Sequence, residues 1–161
     1  MDENEYRTTY HSLNETRCVF EKSILTQYCG CRYHQKFNLA EREGIRCTNP
    51  EAQSNCSQFL NESRRQARFA LHLTEIVGNL LPHSKEVQVQ KGALLGLAPE
   101  LPNLPETPVA DIYQLIEKAL TQSGGDIRGF DYASLIPTIS HHPPRKKLRR
   151  RQRHKIKPPQ A

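Results

Sequence analysis

Tryptophan is absent from this 161-residue chain, methionine occurs once, and the large aromatic side chains are limited to five phenylalanines and six tyrosines. So few bulky apolar groups fill a modest core, which excludes a large two-domain enzyme and the broad sheets that carry most cofactors. Long apolar runs are missing as well. The longest, Ala93 to Ala98, is interrupted by Gly96 and falls far short of the roughly 18 residues needed to span a bilayer. The start places Asp2, Glu3 and Glu5 where a secretory leader carries bases followed by an apolar stretch, so the expectation is a protein retained in the cytoplasm, or the nucleus of a eukaryote. Signatures of catalysis are lacking too: there is no phosphate loop, dinucleotide glycine pattern, nucleophile elbow or paired-histidine zinc helix. The expectation is a protein that is not an enzyme.

Cysteine is absent from the last 105 residues, and this absence gives weight to its presence before them: Cys18, Cys29, Cys31, Cys47 and Cys56 all fall within the first 56 positions. An odd number of thiols without an export signal argues against a disulfide framework and for metal or redox chemistry. Cys29-Gly30-Cys31 sets two thiols one residue apart around a flexible glycine, a pair suited to a soft metal. Structural zinc more often uses pairs two or more residues apart, whereas iron–sulfur clusters accept varied spacings. The expected centre is therefore an iron–sulfur cluster ahead of zinc, built on Cys29, Cys31 and Cys47 with a further ligand from Cys56, Cys18 or His34. The plain alternative for Cys18 and Cys56 is that each is a small core hydrophobe. A redox dithiol is a third reading, with Arg32, Lys36 and Arg46 supplying the positive field that lowers a thiol pKa.

The periodicity predicts a mostly α protein, a small irregular helical bundle. Residues 1–11 carry no apolar pattern and read as a loose N-terminus. Ser12-Leu13-Asn14-Glu15 matches a capping box opening a helix to about Tyr28, with Gly30 at its end. On that helix Cys18 and Cys29 would lie about 16 Å apart, too far to share one ion. Arg32 to Glu43 reads as a short helix carrying Tyr33, Phe37 and Ala40. From Thr48-Asn49-Pro50-Glu51 onward, Cys56, Phe59, Leu60, Ala67, Ala70, Leu73, Val77 and Leu80 recur at helical steps, predicting one long central helix that runs until Pro82. Residues 12–98 form the expected cysteine-containing core, 99–106 a proline-rich linker, and 107–140 a C-terminal helix and docking segment opened by Thr107-Pro108 and closed at Gly124-Gly125.

Acidic residues are missing from the end of the chain. Arg145, Lys146, Lys147, Arg149, Arg150, Arg151, Arg153, Lys155 and Lys157 form a run with no acid, so residues 1–144 hold 14 bases against 17 acids while the whole chain is +6. Prolines and bases leave nothing to pack, and residues 141–161 read as a disordered basic tail. Such a run neutralises phosphates with a steep salt dependence and little sequence preference. Its expected partner is anionic, either a nucleic acid or an acidic protein. No aromatic residue stands in the run to stack on bases. Two function classes follow: a metal-centre accessory, sensor or carrier protein docked through its tail, and a nucleic-acid-binding protein whose cysteines only pack or hold structural zinc.

Overall fold

The computed structural model describes residues 1–74, 81–98 and 109–142. Its elements are helix α1 (Glu3–Leu13), helix α2 (Glu21–Leu25), strands β1 (His34–Leu39) and β2 (Arg42–Cys47), helices α3 (Pro50–Ala67), α4 (His83–Leu97) and α5 (Ile112–Gln122), a 3-10 turn (Ile127–Gly129) and helix α6 (Tyr132–His141). The molecule is mostly helical, with one small antiparallel hairpin. Among the described residues no helix is long and apolar enough to cross a membrane.

The N-terminal third departs from the sequence expectation. Residues 3–13 are helical where a loose end was expected. Asp2 caps that helix by accepting the Glu5 amide at 2.8 Å, and an early Glu3–Arg7 pair follows. Asn14 is its C-cap, so the Ser12–Glu15 pattern lies at the end of a helix and not at a start. Residues 14–20 are irregular, and beyond the last residues of α1 only Glu21–Leu25 is helical in the span where a helix to Tyr28 was expected. The apolar spacing of Tyr33, Phe37 and Ala40 likewise belongs to a hairpin, registered from His34 opposite Cys47 to Leu39 opposite Arg42. Its two-residue turn holds Ala40 at a positive φ of 54°. Phe37 packs on Tyr10 at 5.7 Å between ring centroids. Gly44 lies beneath that contact, where a Cβ would come within 2.6 Å of the Phe37 ring and 2.8 Å of Tyr10. Burial of Phe37 against α1 thus outweighs local helical spacing.

Helix α3 begins where its sequence signal placed it. Asn49 caps it, accepting from Glu51 and Ala52 at 3.1 Å each, with Pro50 in the first turn. The helix ends at Ala67 and does not run to Pro82. Leu71 still turns into the core, 2% exposed, and His72 takes a left-handed φ of 56°. A reversing turn can bury residues four apart as a helix does, which is why the apolar period outlasts the helix. Val77 and Leu80 lie outside the described residues, as do the 99–106 linker, the Thr107-Pro108 start signal and the basic run 145–157. Asp111 caps α5, and Gly124 and Gly125 follow it at φ values of 73° and 88°.

The core is centred on α3, α4 and α6, with α4 and α6 in the most extensive contact. The segment read as a docking region folds back as α6 and buries Tyr132, Leu135 and Ile139. Gly92 lets α4 and α6 approach: a Cβ there would stand 2.5 Å from the Ile139 Cα. Phe59 of α3 sits beside Phe20, Phe130 and Tyr132. Helix α4 also buries polar groups, and each finds partners. Gln90 accepts from the Ser23 hydroxyl at 3.1 Å and donates to the Val19 carbonyl at 3.1 Å and to Glu86 at 2.8 Å. Glu86 in turn takes a bidentate Arg64 at 2.5 and 2.9 Å.

Candidate metal centre

Four of the five cysteines come together. Cys18, Cys31, Cys47 and Cys56 line one cavity, walled otherwise by Val19, Phe20, Tyr33, His34, Ala52, Gln53, Ile112 and Tyr113. Each thiol comes from a different segment, and the backbone explains the convergence. The Cys47 amide donates to the Thr16 carbonyl at 2.7 Å and the Cys18 amide to the Ile45 carbonyl at 3.0 Å, with an antiparallel bridge of Arg17 to Arg46 between them. Residues 16–18 therefore run alongside β2, paired to it by this one isolated bridge, and bring Cys18 next to Cys47. Cys31 precedes β1, whose first residue, His34, pairs with Cys47. Cys56 lies four residues after Ala52 and three before Phe59 on the buried face of α3.

Because residues 14–20 are irregular, the separation of Cys18 from Cys29 expected on a continuous helix does not arise. Cys29 itself is placed apart. It is 4% exposed, bridges in parallel to Val109 and is missing from the cavity wall. The Cys29-Gly30-Cys31 pair thus sends one thiol into the core and one to the cavity. Gly30 is needed there for another reason, since a Cβ would meet the Ala110 carbonyl oxygen at 2.7 Å. His34 reaches the cavity edge but is exposed, and its Nδ1 contacts the Cys31 carbonyl.

Burial dominates the electrostatics. It pushes the Cys18 thiol up to about 12, with Cys31, Cys47 and Glu21 adding to the rise and the Phe20 amide, which donates to the sulfur, opposing it. Cys31 is raised by burial as well, against donation from the amides of Tyr33 and Tyr113. Cys56 is raised by burial and by the other three thiols. Cys29 is pushed up to about 12 by burial, with Lys91 opposing. All five cysteines are free thiols.

Backbone amides beside Cys18 and Cys31 oppose the rise that burial imposes on their thiols, and polar groups of this kind tune metal-bound sulfur. Tyr113 belongs to the first turn of α5, where amides lack intrahelical acceptors. Arg32 holds that turn to the Cys31 loop, its Nε donating to Asp111 at 2.7 Å. The four-thiol donor set suits zinc or iron–sulfur chemistry. Among the described residues, no three His, Cys, Asp or Glu side chains stand as a ready ligand set for one ion. The free space between the cavity walls is about 20 Å³, enough for about one water molecule.

Sequence reasoning found all four cavity cysteines but ranked Cys29 with the core of the set and left Cys18 and Cys56 at its margin. The amides of Phe20, Tyr33 and Tyr113 went unnoticed, because backbone groups leave no mark on composition. Comparison with family models, curated proteins and solved structures finds no match for this chain.

Proposed function

We propose that Cys18, Cys31, Cys47 and Cys56 hold a metal–thiolate centre, and that the protein serves as an accessory, sensor or carrier and not as a catalyst. The observation that carries this reading is the meeting of four thiols from four separate segments around one cavity. An iron–sulfur cluster is the favoured occupant, because its ligands sit around several iron atoms and accept wider and more varied spacings than ligands to one ion. When bound, such a cluster supplies electron exchange. The small free volume favours a second reading, a single zinc drawn tight by inward rotation of the thiols. The run Arg145 to Lys157 gives the centre a means of docking to an anionic partner through electrostatic attraction.

Anaerobic purification followed by iron, sulfide and zinc analysis tests the assignment. The expected result is brown protein with charge-transfer absorption and matching iron and sulfide. Stoichiometric zinc in colourless protein selects the second reading. Colourless, metal-free protein that stays folded overturns both. Serine substitution at Cys18, Cys31, Cys47 or Cys56 is expected to remove most of the bound metal, whereas Cys29→Ser leaves the metal content as it was.

A further inference from the structure

A groove of about 580 Å³ opens on the outer face of α3, lined by Gln58, Asn61, Glu62, Arg64, Arg65, Arg68, Ile127 and Arg128. It gathers four guanidinium groups around one carboxylate. Arg64 is committed to Glu86, and Arg65 to Glu62 through two contacts at 2.5 and 3.0 Å. Arg68 and Arg128 take part in no ion pair among the described residues, so the groove carries two uncompensated positive charges. The Nε of Arg68 is buried with no hydrogen-bond partner. A buried donor left in that state costs about 1–3 kcal/mol. Beside it, the Arg68 guanidinium lies 5.7 Å from the ring centroid of Phe69. Phe69 is 84% exposed, the most exposed large apolar side chain described.

We propose that this groove binds a single nucleic-acid strand, with Arg68 and Arg128 on successive phosphates and Phe69 as a stacking surface for a base. Guanidinium forks match phosphate oxygens, and an exposed ring beside them suits a strand whose bases are unpaired. An acidic peptide would use the charges but leave the ring idle. Glu62 does not cancel the field, because Arg65 already neutralises it. The site is independent of the thiol centre. It supplies, on the folded body, the aromatic platform that the basic run lacks.

Fluorescence anisotropy of the full-length protein with a labelled single-stranded oligonucleotide, titrated at several salt concentrations, tests this. The double substitution Arg68→Gln/Arg128→Gln is expected to weaken binding at least about tenfold and to reduce the salt slope by about 1.4, since each lost single-strand phosphate contact removes about 0.7. Phe69→Ser is expected to weaken it about 5-fold to 100-fold, as loss of one stacked base does. Arg128 and Phe69 are both exposed, so Arg128→Gln and Phe69→Ser test the site even if the Arg68 change disturbs folding. Wild-type binding by every variant would assign the contact to residues 145–157 and overturn the proposal, as would absence of strand binding. Calorimetric uptake of inorganic phosphate without substitution-sensitive strand binding would overturn it too.

Discussion

Single residues in this protein are decided by what surrounds them more than by what they are. Cys29 and Cys31 are two positions apart and differ in fate, because Cys29 is drawn into the core at its bridge to Val109 while Cys31 stands at the cavity wall. Tyr10 shows the same dependence. Its hydroxyl is buried against Glu21 and receives a bond from Asn14 at 2.9 Å. Burial, then the Glu21 carboxylate, raise its pKa above the ordinary phenol value. Tyr28 and Tyr132 are raised by burial as well. A group whose folded pKa is raised contributes stability that is complete below its unfolded value, here about 10, and is lost as pH climbs beyond it. Ultraviolet titration of phenolate should therefore show three of the six tyrosines ionising late. Stability in urea should fall as pH rises above about 10. Six tyrosines titrating together near pH 10 in folded protein would contradict the packing of all three.

At the scale of elements, α4 is the member that the rest close upon. It meets α6 through Gly92 and α3 through Arg64 and Glu86. Gly92→Ala places a Cβ against the α6 backbone, and overpacking of that kind costs about 1–3 kcal/mol. Arg64→Ala leaves the Glu86 carboxylate, 7% exposed in its side chain, without its charge partner inside the protein, and such losses cost about 3–5 kcal/mol. Urea unfolding should thus rank Arg64→Ala below Gly92→Ala, and both well below wild type. The elements were unevenly legible in sequence. The α3 start and the glycine end of α5 were readable because caps are local chemistry. The hairpin was not, because a helix-like spacing of Tyr33, Phe37 and Ala40 hides the fact that Phe37 is held by Tyr10, twenty-seven residues earlier in the chain. The end of α3 was not legible because Ala70 and Leu73 carry its apolar spacing on into the turn that follows the helix.

For the whole molecule, the thiol cavity and the arginine groove are both built from the described body. Removal of residues 143–161 is accordingly expected to leave metal content and melting temperature unchanged while weakening binding to anionic partners, with the salt dependence reduced in step. Metal analysis and a thermal scan of the shortened chain check the first part. Loss of metal on truncation would mean that the tail contributes to the centre.

What the sequence alone determined was chemical supply. Five thiols confined to 56 residues, a basic run without acids, and too few aromatic residues for a large core bounded the kind of protein before any folding was considered. What only the tertiary structure decided was company. The strand-like pairing of residues 16–18 with β2 brings Cys18 to Cys47, and the burial of α3 turns Cys56 toward both. Convergence of groups 9 to 16 positions apart follows from long-range backbone pairing and core packing. Neither leaves a short-range trace in the spacing of the residues themselves.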